Sequence, residues 1–360
     1  MSAREIQGIG TSPPPVRAGA AEGPGAEPLA ARLCVRIPLH YPGFDRTRAL
    51  ALAAGNAEEV YAFTREDCRD GYRRFAVDVL AAIEERRFLP VYRMGDGEFS
   101  FALGAPEERL PLRRLRPRQL ARRVVNAVAG RRGGHRSGSP GYGWEVYSPA
   151  ERRALLDAYA ADLRFVAERG YLALALADTP LYGPWVREIL EWLDARGVPL
   201  HPGNYQHAFA VYALLHGPDR DRLLRGRRVL VVNHADAERR AAIAGALAMA
   251  GAAETRFIPI GRDKAMLERV DPRAAGGPVD LALVGAGVGA ANVLRQLEPL
   301  GVPALDVGYA LDVLARPELR WRRPFCVPDE EFDPERVEFL PPEQRARLRR
   351  GEPEGAAARG

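Results

Sequence analysis

The residues with the clearest chemical potential lie between Phe88 and Leu103, in the stretch FLPVYRMGDGEFSFAL. Asp96 and Glu98 are two carboxylates one residue apart, and each follows a glycine. Carboxylate oxygens are hard ligands of the kind that Mg²⁺ and Mn²⁺ prefer. Arg93 offers a planar guanidinium that can clamp a phosphate. The stretch therefore predicts a metal and phosphate site; the alternative is an ordinary glycine turn whose acids only cap a helix.

The elements around these acids favour a ligand-facing position. The apolar run Phe88–Tyr92 predicts a buried strand, which places the acids at its carboxyl end. Ligands of open α/β sheets bind in the crevice outside those ends. Gly95 and Gly97 allow positive φ and the close approach of a ligand, so both are candidate cofactor-binding residues.

A second candidate is a glycine turn that follows a predicted strand and opens a predicted helix. Its residues Gly285, Gly287 and Ala290 fit the G-x-G-x-x-A form of the dinucleotide fingerprint. Asp306 follows about 20 residues later, where such folds carry the acid that binds the ribose. Backbone N–H groups at such a turn suit a phosphate. The alternative is a tight packing turn that binds nothing.

Other polar residues also follow predicted strands and are weaker candidates, because helix N-caps are polar in any case. They are Asp178 and Thr179, Asn233 and His234, Gly261 and Arg262, and Gly308. The six histidines show no metal-ligand spacing.

Length and composition limit the class of protein. The chain has 360 residues, of which 47% are hydrophobic and 28% charged, enough for one large or two medium domains. A formal charge of +5 is a weak basic bias that suits a small anionic substrate and does not argue for nucleic acid. Three widely spaced cysteines indicate no disulfide framework, which favours a cytoplasmic protein. No apolar run reaches the ~18 residues of a transmembrane segment.

The pattern along the chain predicts one ordered body between two disordered ends. Residues 1–30 and 341–360 are predicted to be disordered, and residues 31–340 to form an α/β domain. The fold class is an open, mostly parallel Rossmann-like sheet with helices on both faces, most regular over 227–315. Predicted helices span 66–87, 117–129, 148–169, 184–196, 236–250, 262–270 and 289–300, and predicted strands span 171–177, 229–232, 255–260, 279–284 and 303–307. A glycine-rich loop at 131–143 suits a lid or binding loop, or a plain surface excursion.

Two segments resemble a known family. VYRMGDGEF resembles the R-x-G-D-G-E segment of the bacterial GT-D-type glycosyltransferases, long catalogued as a domain of unknown function. VDLALVGAGVGAANVLRQLEPLGVPALDVGYALDVL resembles the closing segment of that family. The sequence departs from the family at Gly308-Tyr309-Ala310, where Gly-His is expected.

The resemblance implies transfer of a sugar from a UDP-, GDP- or TDP-sugar to an acceptor hydroxyl of a glycan, peptide or small molecule. Asp96 and Glu98 would hold Mn²⁺ or Mg²⁺ at the diphosphate, and Arg93 would bind phosphate. Gly285, Gly287, Asp306 and Gly308 would form the second half of the cleft.

The chemistry of this transfer needs groups of these kinds. The departing nucleoside diphosphate gains negative charge, which a metal and fixed donors stabilise. An inverting enzyme also needs a base for the acceptor hydroxyl, and Asp178, His207 and Asp236 are candidates. Two alternatives remain at this point: an NAD(P)-dependent oxidoreductase built on the Gly285 turn, and a non-catalytic module that binds nucleotide sugars.

Overall fold

A computed structural model describes most of the predicted ordered body. The described residues are 27–33, 35–38, 59–64, 66–103, 149–177, 183–261 and 265–322, with the single positions 327, 333 and 336. The predicted helix 117–129, the loop 131–143 and the tail 341–360 lie outside them. The predicted N-terminal lead is described only from residue 27, and there Leu29–Arg32 forms a short helix.

Seven parallel strands form the main sheet, as the sequence predicts. A separate antiparallel pair consists of β1 (Val35–Pro38) and β2 (Glu59–Ala62). The main sheet contains β3 (Leu89–Met94), β4 (Tyr171–Leu174), β5 (Tyr205–His207), β6 (Arg228–Asn233), β7 (Glu254–Pro259), β8 (Leu281–Gly285) and β9 (Pro303–Asp306). Their spatial order is β5-β4-β3-β9-β8-β6-β7. Every pairing within this sheet is parallel.

Helices connect these strands. They are α1 (Leu29–Arg32), α2 (Glu66–Glu84), α3 (Asp96–Leu103), α4 (Pro149–Arg169), α5 (Gly183–Ala195), α6 (Phe209–His216), α7 (Arg220–Leu224), α8 (Ala237–Met249), α9 (Ala290–Gln296) and α10 (Ala310–Ala315). Short 3₁₀ turns occur at Ala265–Leu267, Pro272–Ala275, Gly287–Gly289, Glu298–Leu300 and Pro317–Arg322. Within the described ranges, none of the helices is long and apolar enough to cross a membrane.

Apolar side chains cover both faces of the sheet. In β3, Tyr92 and Met94 join one buried cluster, while Leu89 and Val91 join the other. This alternation follows from the period of two in a strand. Helices α3, α4, α5 and α9 pack on the first face, and α2, α6, α7, α8 and α10 on the second. The predicted doubly covered α/β sheet is therefore confirmed.

The chain path places a topological switch point in the middle of the sheet. It runs outward from β3 through β4 to β5, and it later returns through β8 and β9 to pair with the other side of β3. The helix that follows β3 (α3) packs on the first face of the sheet, whereas the helix that follows β9 (α10) packs on the second. Ligands of α/β proteins bind at switch points of this kind. Because all seven strands are parallel, their carboxyl ends lie along one side of the sheet, here called the carboxyl edge; the opposite side is the amino edge.

One predicted helix is wrong. Residues 265–267 of the predicted helix 262–270 form a 3₁₀ turn, and 268–270 are irregular; 262–264 lie outside the described part. Side chains of α9 bind the backbone of this segment instead: Gln296 accepts from the Val270 N–H at 2.9 Å, and Asn292 donates to the Glu268 carbonyl at 3.0 Å. These tertiary hydrogen bonds take the place of helical ones.

Candidate functional site

The side chain of Arg93 is enclosed at the carboxyl edge. Its guanidinium carbon lies 5.4 Å from the ring centroid of Tyr212 in α6. A Cβ atom on Gly95 would lie 3.2 Å from Nη1, and a Cβ atom on Gly308 would lie 3.0 Å from Nη2. Gly308 also has a φ of 44°, a conformation that favours glycine. Two glycines and an aromatic ring therefore hold Arg93 in place, and we call this arrangement the Arg93 cradle.

Glu98 points inward and holds the turn before α3. Its Oε2 atom accepts a hydrogen bond from the Gly95 N–H at 2.8 Å, as the third-position glutamate of a capping box does. The Gly95 carbonyl in turn accepts from the Phe99 N–H at 2.9 Å, which starts the helix. The side chain is only 2% exposed, and this burial raises the pKa of Glu98 against the opposing effect of Arg93. Glu98 thus has a capping role that the sequence offered as the alternative to a metal role.

Asp96 is the more accessible carboxylate of the pair. It is the first residue of α3 and is half-buried, whereas Gly97 and Glu98 behind it are buried. An acid in the first turn is favoured by the partial positive charge of a helix N-terminus. The two predicted metal ligands therefore differ in position, and Asp96 is the one at the surface of the crevice.

Asp306 lies beneath the edge, at the end of β9. Its Oδ2 atom accepts from the Arg93 N–H at 3.2 Å, and the side chain is 1% exposed. Its Oδ1 atom is buried and has no hydrogen-bond partner among the described residues. Burial raises the pKa of Asp306 to about 7, although Arg93 acts to lower it. The predicted ribose acid thus sits inside the protein, and its contact with a ligand stays a prediction.

The buried acids share their surroundings with two tyrosines. The Tyr92 and Tyr159 hydroxyl groups lie 2.8 Å apart and are hydrogen-bonded. Burial raises the pKa of both phenols, and the charges of Glu98 and Asp306 act in the same direction. This polar cluster lies on the α3–α4 face of the sheet, while the Tyr212 ring under Arg93 lies on the other face.

The glycine turn lies beside the Asp-x-Glu helix. Gly287–Gly289 form a 3₁₀ turn that packs against α3 and leads directly into α9. Gly287 has a φ of 54°, which favours glycine. At Gly285 a Cβ atom would lie 2.7 Å from Cδ1 of Leu311, so a larger residue here would displace that side chain of α10. The two segments that the sequence singles out are therefore neighbours in space.

The remaining candidates from the sequence differ in where they lie and in their exposure. Asp178, Thr179 and Arg262 lie outside the described residues. His234 and Gly261 are exposed. Asn233 ends β6 opposite Gly285, and its Oδ1 atom accepts from the Ala235 N–H at 3.3 Å.

Two of the three candidate bases have structural roles. Burial lowers the pKa of His207 to about 3, so its imidazole is neutral, and Nδ1 accepts from the Phe209 N–H at 3.3 Å. Asp236 is exposed and caps α8 by accepting from the Arg239 N–H at 2.8 Å. The third, Asp178, remains a sequence prediction.

Sequence reasoning missed the aromatic residues of α6. The rings of His207 and Phe209 are 4.9 Å apart, those of Phe209 and Tyr212 are 6.2 Å apart, and Tyr212 contacts Arg93. The i, i+3 spacing of Phe209 and Tyr212 marks one helix face. Only the return of this helix to β3 shows that the face lies under Arg93.

The carboxylates at the carboxyl edge suit a metal ion that binds together with substrate phosphates, rather than one held by protein ligands alone. Across the residues that the structure describes, no group of three or more His, Cys, Asp or Glu side chains is arranged to hold an ion. Mg²⁺ commonly binds through one or two carboxylates together with substrate phosphates. Asp96 fits that requirement, whereas one Glu98 oxygen is already bound by Gly95.

Comparison with known proteins points to the same family as the motifs. A family profile described as a GT-D fold-like domain matches residues 180–314. The resemblance to the GT-D type is thereby confirmed for that range, which includes the glycine turn, Asp306 and Gly308 and begins after β3 and α3. No curated protein matches the sequence.

Two solved structures align with the chain at 15% identity. One is described as "The highly conserved domain of unknown function 1792 has a distinct glycosyltransferase fold"; the alignment covers 67% of this chain and 81% of that one, with a TM-score of 0.38. The other is a selenomethionine-substituted structure of the same domain of unknown function, with 65% and 82% covered and a TM-score of 0.33.

Proposed function

We propose, from the GT-D-like domain at residues 180–314, that this protein is a glycosyltransferase that uses a nucleoside diphosphate sugar. The observation that carries the proposal is the arrangement at the crevice. The Arg93 cradle, the half-buried carboxylate of Asp96 and the glycine turn all meet where β3, β9 and β8 end. A cation, a metal-binding acid and a phosphate-sized turn are the groups that a sugar diphosphate requires.

Each group has a distinct part in the reaction. Arg93 binds the diphosphate, and the backbone at Gly287 lets an anion come close. Asp96 holds a divalent metal, Mn²⁺ or Mg²⁺, together with the phosphate oxygens. When bound, that metal neutralises the charge of the departing diphosphate. Glu98 keeps the turn and Asp96 in position through its bond to Gly95.

The position of Asp306 disfavours an oxidoreductase. A ribose-binding acid has to offer an oxygen to the 2′-hydroxyl group of the cofactor. Asp306 is 1% exposed and faces the Arg93 backbone, so a ribose does not reach it in this conformation. The base that removes the acceptor proton is proposed to be Asp178, on the sequence prediction alone.

Calorimetric titration tests this function. UDP, GDP and TDP are titrated into the protein with and without Mn²⁺, and we expect one of them to bind in a metal-dependent way. Asp96→Ala should abolish the metal dependence. Asp271→Ala is the matched control, because Asp271 is an exposed acid that only caps a 3₁₀ turn by accepting from the Arg273 N–H.

Two results would overturn the proposal. Binding of NAD without metal, in place of any nucleoside diphosphate, would favour the oxidoreductase. Metal-dependent binding without any hydrolysis or transfer of the matching nucleotide sugar would favour a binding module.

A further inference from the structure

We propose that Tyr212 is a positioning residue that fixes the guanidinium of Arg93 for binding the diphosphate. This inference rests on the proposed function, because it concerns the same site. Nothing in the motifs around Arg93 points to Tyr212, which lies 119 positions later in the printed sequence.

Three neighbouring groups restrain the side chain of Arg93. The Tyr212 ring lies on one side of the guanidinium, 5.4 Å from its carbon. Gly95 and Gly308 line two further sides, with their Cβ positions 3.2 Å and 3.0 Å from Nη1 and Nη2. Arg93 is half-buried and is the penultimate residue of β3, which places it close to the carboxyl edge.

Electrostatics explains why a ring is needed there. Glu98 and Asp306 are buried acids, and both are stabilised as anions by the charge of Arg93. Both acids belong to the polar cluster on the α3–α4 face, opposite the Tyr212 ring. The negative face of an aromatic ring attracts the cation from the opposite side and restricts its rotation. Tyr212 therefore restricts the positions of the guanidinium on the side of the sheet away from the two acids.

The ring is itself held firmly. Tyr212 is 4% exposed and lies in α6, next to Phe209, whose ring contacts both Tyr212 and His207. A side chain held in this way does not need to be ordered when substrate binds, so Arg93 is held in place before binding.

Substitution at Tyr212 tests this role. Tyr212→Leu should weaken binding of the preferred nucleoside diphosphate by about five- to tenfold, as expected for loss of a desolvated cation–π contact. The donor KM should rise by the same factor with little change in kcat, because the lost contact acts on ground-state binding. Tyr212→Phe keeps the ring and should restore both values.

A matched control separates positioning from folding. Tyr72 is a buried tyrosine of the same apolar cluster, 6% exposed, whose hydroxyl donates to Asp219 at 3.1 Å and does not contact Arg93. Tyr72→Leu should lower the melting temperature as Tyr212→Leu does, yet bind the diphosphate like the wild type. If Tyr212→Leu does not fold, Tyr212→Met, whose longer and more adaptable side chain can fill the site of the ring differently, replaces it.

A double-mutant cycle decides the mechanism. Because Tyr212 acts through Arg93, Tyr212→Leu should have no further effect on affinity in the Arg93→Ala background. If the wild type binds no nucleoside diphosphate, the proposed function fails. If the wild type binds and Arg93→Ala weakens binding, but Tyr212→Leu binds normally or acts equally in both backgrounds, only the positioning role is overturned.

Discussion

Aspartates at the two edges of the sheet differ in their hydrogen-bond partners and in the direction of their pKa shifts. At the amino edge, Asp280 comes just before β8 and accepts from the Arg228 Nε and backbone N–H groups, each at 2.9 Å. Arg86 lies 3.3 Å away and adds a second ion pair. The hydrogen bond from Arg228 is the main cause that lowers the pKa of Asp280 to about 2. At the carboxyl edge, Asp306 has an unpartnered oxygen among the described residues and a pKa raised to about 7.

The charges at the amino edge stabilise the fold, whereas the buried acids at the carboxyl edge do not. At the amino edge, both arginines pair with Asp280, so the ionised form of this acid stabilises the fold. The carboxyl edge keeps two buried acids around one half-buried arginine, which is unfavourable for folding alone. Groups with perturbed pKa values and incomplete pairing concentrate at functional sites, so the contrast favours the carboxyl edge as the working edge.

The largest expected effect comes from removing the arginine of each edge. Arg93→Ala should weaken nucleoside diphosphate binding by about 10- to 100-fold, the size of a lost charge-assisted contact. Arg228→Ala should leave that affinity unchanged and lower stability only slightly, because Arg228 is partly exposed and its ion pair is screened by solvent. Calorimetry measures the diphosphate affinity of both variants, and urea unfolding measures their stability. Equal loss of affinity in both would remove the distinction between the edges.

A smaller effect is expected from Asp306→Asn, and it depends on pH. A raised pKa means that the folded protein binds the proton more tightly, so wild-type stability is greatest below the ordinary value of 3.8 and falls as pH rises to about 7. The Asp306→Asn variant has no ionisable group at this position, so its stability does not decrease in this way. Its stability relative to wild type should therefore increase between those pH values, by up to about 1.4 kcal/mol for each pH unit. Urea unfolding at several pH values tests this, and parallel pH profiles would contradict it.

Asp280→Asn should show the reverse trend with a smaller amplitude. A lowered pKa means that the ionised acid stabilises the fold above the ordinary value of 3.8, and that this contribution disappears as pH falls to about 2. The variant should be less stable than wild type by about 1 kcal/mol at neutral pH, after allowing for solvent screening. The two curves should converge in acid. A difference that persists at the lowest pH would indicate lost packing instead of lost charge.

The smallest effect is expected for Glu98→Gln. A glutamine oxygen can still accept from the Gly95 N–H, so stability and Mn²⁺ affinity should remain close to wild type. Glu98→Ala removes the cap and should lower stability by about 1 kcal/mol. If Glu98 is a metal ligand, as the resemblance implies, Glu98→Gln will instead lower Mn²⁺ affinity by about tenfold or more. Titration of Mn²⁺ with the bound diphosphate separates these outcomes.

Much of the fold follows from local pattern. From β6 onward, short apolar strands alternate with helices, and this period is strong enough to predict four strands and the helices α8 and α9 within a few residues. Strand β5 is missed because three residues, Tyr205–His207, are too short to show a period. The predicted helix 262–270 is wrong because side chains of α9, far along the chain, bind its backbone.

The sequence by itself determined the chemical groups of the site and the edge where they meet. Asp96, Glu98, Arg93 and the glycine turn were identifiable from residue type, spacing and position after predicted strands. Only the tertiary structure decided how those groups divide their roles. Glu98 turns inward, Asp306 is buried, and Tyr212 and Gly308 enclose Arg93. The reason is physical: exposure and charge environment depend on contacts between distant segments, and no local period encodes those contacts.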